Sequence, residues 1–263
     1  MMSGADVRYR TVWISDIHLG SRACKVDLLL DFLHRVKCDR LYLVGDVIDF
    51  WALKRRFYWP KRHQLALGKI IELAGQGTEV IYIPGNHDEI MRDYAGLELL
   101  GIALHLEHVH VTADGKRLLV LHGDRFDHIC LGPSMTRLIG CGLYAALSVA
   151  NRYLSQCRRV MGFPYWSLAT YIKRNLSATN QLINRYAKTV SSDARQQGFD
   201  GVVCGHIHQP QILENDRFIY CNDGDWTESC SALTETFTGA LHLVEWTVEQ
   251  NAGEVGRGLP RAA

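Results

Sequence analysis

Short apolar runs, each closed by a small polar cluster, recur along this chain. Arg10–Ser15 (RTVWIS) ends at Asp16, Leu41–Val44 (LYLV) at Gly45-Asp46, and Glu79–Ile83 (EVIYI) at Pro84-Gly85. Runs of this length, rich in β-branched and aromatic residues, predict buried strands. Between them, apolar residues recur at helical spacing over Val26–Val36 and Gln64–Ala74. Strand, helix, strand, helix, strand predicts parallel βαβ units. Further strands are predicted at Val109–Thr112, Arg117–Leu121, Phe199–Cys204, Phe218–Cys221 and Ala240–Glu245. From Asp124 to Gly198 the periodicity is helical and no strand signal remains. This predicts one α/β domain over residues 1–250 with a helical insertion, or cap, at about 125–198. The Gly-rich tail, 251–263, is expected to be flexible.

Composition narrows the class only a little. Of 263 residues, 47% are hydrophobic and 22% charged, which suits a globular chain with a sizeable core. The eight cysteines form no C-x-x-C pair, and the start MMSGADVRYRTVW lacks the apolar centre of a signal peptide. Reduced, buried thiols and a cytoplasmic location are therefore expected. No run reaches the ~18–20 apolar residues that span a bilayer. The nearest, Leu138–Ala150, reads as a buried or interfacial helix.

Candidate chemistry gathers at the strand ends. Five clusters each follow an apolar run: Asp16-Ile17-His18, Gly45-Asp46, Gly85-Asn86-His87-Asp88, His122-Gly123-Asp124 and Gly205-His206-Ile207-His208. Ligands of open α/β sheets bind at the carboxyl ends of the strands, so five strands could bring these groups to one place. Carboxylate, imidazole and amide oxygen are ligand types for manganese, iron or zinc. On an extended segment, D-x-H and H-x-H would point both side chains the same way. Glycine beside Asp46, Asn86, His122 and His206 permits sharp turns and close approach. Each cluster alone is weak, since a single D-x-H or a turn-like G-N-H-D has ordinary structural explanations. The ordered set of five does not.

That set, from Asp16 to His208, resembles the calcineurin-like metallophosphoesterase superfamily, whose pattern is D-x-H, G-D, G-N-H-D/E, H and G-H-x-H. The resemblance implies a sandwich of two mixed sheets flanked by helices. It implies two divalent metal ions, expected to be manganese, with iron or zinc as alternatives. Asp16, His18 and His208 would bind one, Asn86, His122 and His206 the other, and Asp46 would bridge them. Paired ions clamp phosphate oxygens and acidify a shared water, and the resulting hydroxide attacks phosphorus in line. His87 would stabilise the transition state or protonate the leaving oxygen, and Asp88 would orient His87.

Within the superfamily, Ser15–Gly20 (SDIHLG), Gly45–Trp51 (GDVIDFW), His122–Asp124 (HGD) and the insertion before G-H-I-H are similar to the UDP-2,3-diacylglucosamine hydrolase group. Those enzymes split the pyrophosphate of a lipid-linked nucleotide sugar in lipid A synthesis, giving UMP and a lipid phosphate. Well-studied members carry G-N-R-D. This chain has His87 in place of that arginine, and Asn222–Ser229 (NDGDWTES) also looks like a branch with G-N-H-D. A phosphodiesterase or phosphatase acting on another nucleotide or phospholipid is the alternative. A non-catalytic scaffold on the same fold is a second, but such a scaffold would be expected to have lost ligands or His87.

Charge distribution points towards an anionic amphiphile. Ten basic residues between 125 and 195 face only Asp127 and Asp193, a surplus of eight in a chain with net charge +1. Arg125, Arg137, Arg158, Arg159, Lys173 and Arg174 are the candidate substrate contacts. The same insertion holds Leu138–Ala150 and the aromatic residues Phe163, Tyr165, Trp166 and Tyr171. Basic, aromatic and apolar helices together suit a lipid-linked nucleotide or peripheral contact with an anionic membrane. Trp51–Arg62 (WALKRRFYWPKR) adds a second basic, aromatic segment that could line the site mouth, touch phospholipid or stack on nucleic acid. A nuclease is disfavoured because the cations accompany long apolar runs rather than a polar groove.

Overall fold

The computed structural model describes residues 7–127, 177–215 and 217–246, and the side chains of 177–180 are not included. Two mixed sheets pack face to face. In the first, β1 (Val7–Ile14), β2 (Val36–Val44), β3 (Glu79–Ile83) and β5 (Ile102–Leu104) run parallel. At one edge β4 (Glu98–Leu99) pairs antiparallel with β5, and at the other β11 (Ser231–Glu235) joins β1 to β12 (Leu241–Glu245), again antiparallel. The second sheet has the order β6-β7-β8-β10-β9, formed by His108–Val111, Arg117–Val120, Gly201–Cys204, Phe218–Asn222 and Gln211–Asn215. Its centre, β7-β8-β10, is parallel.

The continuous apolar character of the central strands follows from burial on both faces. Trp13, Tyr42, Val44, Ile81 and Ile83 point between the sheets, where they meet Leu118, Val120 and Val203. Their alternate neighbours Val12, Ile14, Leu41, Leu43 and Val80 point outward, under helices α1 (Val26–Arg35) and α3 (Lys61–Gly75). In α1, Leu29, Leu30, Phe32 and Leu33 form the buried stripe, and Phe32 packs on Trp226 and Trp246. Asp27 in its first turn and His34 and Arg35 in its last complement the helix dipole. The helix ends one residue before the predicted Val36, which is already extended and opens β2.

Helix α4 (Ser177–Gln196) buries Tyr186, Ala187, Val190 and Ala194 against Val202, Cys204, Phe218 and Tyr220. It is therefore the outer layer over the second sheet. The rest of the stretch expected as a cap lies outside the described residues, as does the tail from 251. A short helix, α2 (Phe50–Arg55), precedes α3 and is started by Asp49, whose Oδ1 accepts from Ala52 N at 2.8 Å. No described helix is long and apolar enough to cross a membrane. All five described cysteines are free, and Cys24, Cys204, Cys221 and Cys230 are buried.

Candidate active site

Asp16, Asp46, His122 and His206 each stand two residues beyond a strand, after β1, β2, β7 and β8, and Asn86 follows β3. Parallel pairing continues past the strands: Asp16 N donates to Gly45 O at 3.0 Å and His18 N to Asp46 O at 2.8 Å. The backbone is not extended here. Asp16, His18, Asp46, His206 and His208 all adopt positive φ, from 50° to 69°. An expected extended D-x-H and H-x-H are thus replaced by left-handed turns, because the chain must swing each side chain over the strand end. Such conformations cost on the order of 1–3 kcal/mol each for non-glycine residues and concentrate at functional sites. Two glycines make the crowding possible. A Cβ on Gly85 would collide with Asp46 Oδ1 and His122 Nε2, and Gly45, at φ 85°, faces the His122 ring in the same way.

Three of the side chains present ligand atoms within 4.8 Å of one another in the set Asp16, His18 and His208, and three in the set Asp16, Asp46 and His122. His208 Nε2 is 3.1 Å from Asp16 Oδ1. His122 Nε2 is 3.6 Å from Asp46 Oδ1 and 3.3 Å from Asn86 Oδ1. His122 Nδ1 donates to Val44 O at 2.8 Å, which leaves the Nε2 lone pair directed at the cluster. His18 Nε2, 3.9 and 3.8 Å from the Asp16 and Asp46 carboxylates, is buried and makes no hydrogen bond. His206 is placed differently. Its ring is 5.1 Å from that of His122, but its Nε2 bonds to Asp127 Oδ1 at 2.7 Å.

These residues fit divalent cations. Burial disfavours the charged form of His18, but its bond to Asp49 and the charges of Asp46 and Asp16 prevail and lift its pKa to about 9. Burial also opposes charge on His122, yet Asp46, Asp16 and Asp124 lift it to about 9. Burial would raise Asp16, but His208, His122 and His18 hold it well below the usual carboxylate range. The cluster demands positive charge, which a cation with carboxylate, imidazole and amide ligands supplies.

Supporting groups complete the site, and one of them, Asp49, the sequence did not single out. Asp49 holds two histidines, His87 Nδ1 at 2.9 Å and His18 Nδ1 at 3.3 Å. The His87 backbone N donates to Asp46 Oδ1 at 2.8 Å, and its Nε2 faces the Asp46 carboxylate at 3.9 Å. Trp51 lies against the His87 ring at 4.3 Å. Asp88, expected to orient His87, instead points beneath the loops. It accepts from the backbone N–H groups of Gly85, Asp46 and Val47 and from the Tyr82 hydroxyl. That clip ties the Gly85 loop to the Asp46 loop, while Asp49 takes the role expected of Asp88.

Asp16 is braced from the other side. Ser15 Oγ lies 2.6 Å from Asp16 Oδ2 and 2.7 Å from Asp223 Oδ1. One hydroxyl proton cannot serve both carboxyl groups. Burial, with the charge of Asp16, pushes the Asp223 carboxyl well above the usual range; with a proton on it, Asp223 would donate to Ser15 while Ser15 donates to Asp16. Trp226 N donates to Asp16 O at 3.1 Å, and Asp225 gathers the backbone N–H groups of Thr227, Glu228 and Ser229. The segment Asn222–Ser229 thus supports the Asp16 turn.

Of the expected substrate contacts, Arg125 is engaged elsewhere, paired with Glu107 and Asp193 at 2.9 Å each on the exposed surface. Arg137, Arg158, Arg159, Lys173 and Arg174 lie outside the described residues. Arg92 binds both oxygens of Asp124, at 2.9 and 2.8 Å, and joins the segment after His87 to the one after His122.

A family model described as calcineurin-like phosphoesterase matches residues 9–210. A UDP-2,3-diacylglucosamine hydrolase of Porphyromonas gingivalis is 27% identical over 248 residues, covering 84% of this chain and 91% of that protein. The protein of the same name from Aeromonas salmonicida is 27% identical over 236 residues, covering 85% and 88%. A solved structure of a Vps29 single mutant from Entamoeba histolytica is similar at 14% identity and a TM-score of 0.45, covering 95% of this chain and 98% of that one. The family match spans every cluster from Asp16 to His208 and all the parallel strands that carry them, and the chain accordingly belongs to the calcineurin-like phosphoesterase family of metal-dependent phosphoester hydrolases.

Proposed function

We propose that this protein hydrolyses the pyrophosphate of a lipid-linked nucleotide, UDP-2,3-diacylglucosamine or a close analogue, to UMP and a lipid phosphate. Asp16, His18 and His208 would hold one divalent ion, Asn86, His122 and His206 a second, with Asp46 between them, and manganese is the expected metal. Bound there, the ions would polarise the phosphate and supply an activated water. His87 is the proton donor to the leaving oxygen. Its Nδ1 is fixed by Asp49, so that its Nε2 faces the cluster. The observation that carries the chemistry is the convergence of the buried Asp16, His18, Asp46 and His122 with the partly exposed His208, and with His87 at their rim. Support for the lipid-linked substrate comes from relatives named UDP-2,3-diacylglucosamine hydrolase that align over most of both chains.

A second reading rests on His87. An arginine grips phosphate with two parallel donors, whereas a histidine offers one donor and can transfer its proton. A phosphodiester or monoester substrate would therefore suit this site too. The discriminating experiment is manganese-dependent hydrolysis of UDP-2,3-diacylglucosamine beside UDP-glucose and an aryl phosphodiester. Preferential turnover of the lipid-linked nucleotide is expected. Turnover of the aryl ester alone would reject that substrate.

A further inference from the structure

From α2 to the start of α3 the chain carries an aromatic and cationic surface that, apart from Trp51 against His87, the site itself does not use. From Phe50 to Ile71 the chain has six basic residues and no acidic one. Lys54, Arg55 and Arg56 are exposed and engage no partner among the described residues. Arg62, by contrast, pairs with Asp27, and Arg22 stacks over Tyr58 at 4.6 Å. Phe57, the residue after these three cations, is 80% exposed. It is not loose. Its neighbours Tyr58 and Trp59 turn inward onto His63, at 5.6 and 6.0 Å, and Trp59 packs against the core under the first sheet. His63 in turn accepts from Gly20 N at 2.9 Å, beside the Asp16-His18 turn. The loop therefore holds one large aromatic ring out in water, directly after three exposed cations in the chain, on a braced support. At the other end of the helix, Trp51 is 42% exposed and touches His87.

An isolated exposed apolar residue needs no explanation. Here, however, a protruding ring adjoins three consecutive unpaired cations and a second exposed aromatic at the rim of the active site. Aromatic side chains favour the boundary between water and lipid, and lysine and arginine are drawn to anionic headgroups. We propose that Trp51, Lys54, Arg55, Arg56 and Phe57 dock this protein on an anionic lipid bilayer, Phe57 entering the headgroup layer and placing the mouth beside His87 at the membrane. This deepens the reading of a lipid-linked substrate and rests on it for its purpose, since a substrate anchored by acyl chains must be met at its bilayer. Nucleic acid is the competing occupant for such a surface, and the charge complementarity is shared. A single protruding ring, rather than a row of stacking platforms, favours the bilayer.

The test is co-sedimentation of the metal-loaded protein with phosphatidylcholine vesicles, with and without about one-third phosphatidylglycerol. Binding only to the anionic vesicles, reversed by high salt, is expected. Each cation near such a surface contributes roughly fivefold in partitioning. Lys54→Gln, Arg55→Gln and Arg56→Gln together should therefore lower it about 100-fold, and Phe57→Ala roughly tenfold. Turnover of a soluble aryl phosphodiester should stay unchanged in both variants. Equal sedimentation with the two vesicle types, or an undiminished triple variant, would overturn the proposal. So would a single-stranded oligonucleotide that binds through these residues while anionic vesicles do not. Hydrolysis of UDP-2,3-diacylglucosamine in detergent micelles separates the two readings. Turnover there without vesicle binding rejects the docking surface alone, and vesicle binding without turnover upholds the surface and rejects the substrate.

Discussion

Asp49 Oδ1 lies 2.9 Å from His87 Nδ1, while its other oxygen lies 3.3 Å from His18 Nδ1, so one carboxylate fixes both imidazoles. Burial alone would raise its pKa, but the bonds from His18 and His87 hold Asp49 well below the usual carboxylate range. Charge at Asp49 is part of the arrangement. Asp49→Asn should lower kcat by roughly 10–100-fold, the usual effect of removing the partner that orients a working histidine. His87→Ala should lower kcat by roughly 10²–10⁴-fold with metal content retained. The check is kcat on an aryl phosphodiester alongside metal stoichiometry. Wild-type kcat in Asp49→Asn would show that the contact with His87 does not matter for turnover.

Asp223 and Ser15 give a second, opposite expectation. If Asp223 is the protonated member of the Asp223–Ser15–Asp16 chain, an asparagine amide can donate to Ser15 Oγ in its place. Asp223→Asn should therefore keep fold and activity nearly intact. Asp223→Ala leaves Ser15 without that donor and should cost about 1–3 kcal/mol of stability. Denaturant titration of the two variants decides the matter, and equal losses would contradict a neutral Asp223.

Gly85 sits where only a hydrogen fits, between Asp46 and His122. Gly85→Ala should displace one of these side chains and weaken metal binding by at least roughly tenfold, in the range seen when a ligand's support is disturbed. Calorimetric titration with manganese reads this directly. Unchanged affinity would mean that the Gly85 loop can retreat without moving the ligands.

Far from these groups, the network inside the sandwich predicts acid sensitivity. His110, on β6, is fully buried and bonds to Glu235 on β11 at 2.9 Å. It also faces Arg10 on β1 and Arg40 and Tyr42 on β2. Burial holds His110 below its ordinary value. Burial would raise Glu235, but bonds from His110 and Ala113 N–H leave it below its own. In both cases the unfolded chain binds protons more readily than the folded one. Stability attributable to His110 is thus complete above about pH 6.5 and falls on acidification, by up to about 1.4 kcal/mol per pH unit. That of Glu235 is lost lower, as pH falls through and below the ordinary glutamate range. Denaturation midpoints from pH 7.5 to 5.5 should decline less steeply in His110→Asn than in wild type. A steeper decline would contradict the assignment.

Much of the fold was legible because its central strands are apolar on both faces. β1, β2, β3, β7 and β8 stand out in the sequence for that reason, and the candidate ligand clusters stand out because they close them. β11 (SALTE) was not legible. Its Thr234 and Glu235 are buried polar groups, satisfied by partners on other strands such as His242 O on β12 and Arg10 on β1. Likewise the first half of β2, VKCDR, is too polar to announce a strand and is held by pairing with Val7–Thr11. In the site, residue types and order singled out the groups that the structure gathers around Asp16 and Asp46, but adjacency misled at Asp88. The G-N-H-D turn sends neighbouring side chains to opposite sides, one to the mouth and one to the backbone below. Asp49, Asp223 and Arg92 act through contacts across 32 to 208 residues of chain, which no local pattern encodes.

Activity of the metal-depleted protein tests the central claim most directly. Protein treated with a chelator and then dialysed should not hydrolyse an aryl phosphodiester, and adding manganese should restore turnover in the wild type but not in Asp46→Ala. Full turnover by the metal-free protein, or restoration in Asp46→Ala equal to wild type, would contradict a metal-dependent hydrolase centred on Asp46.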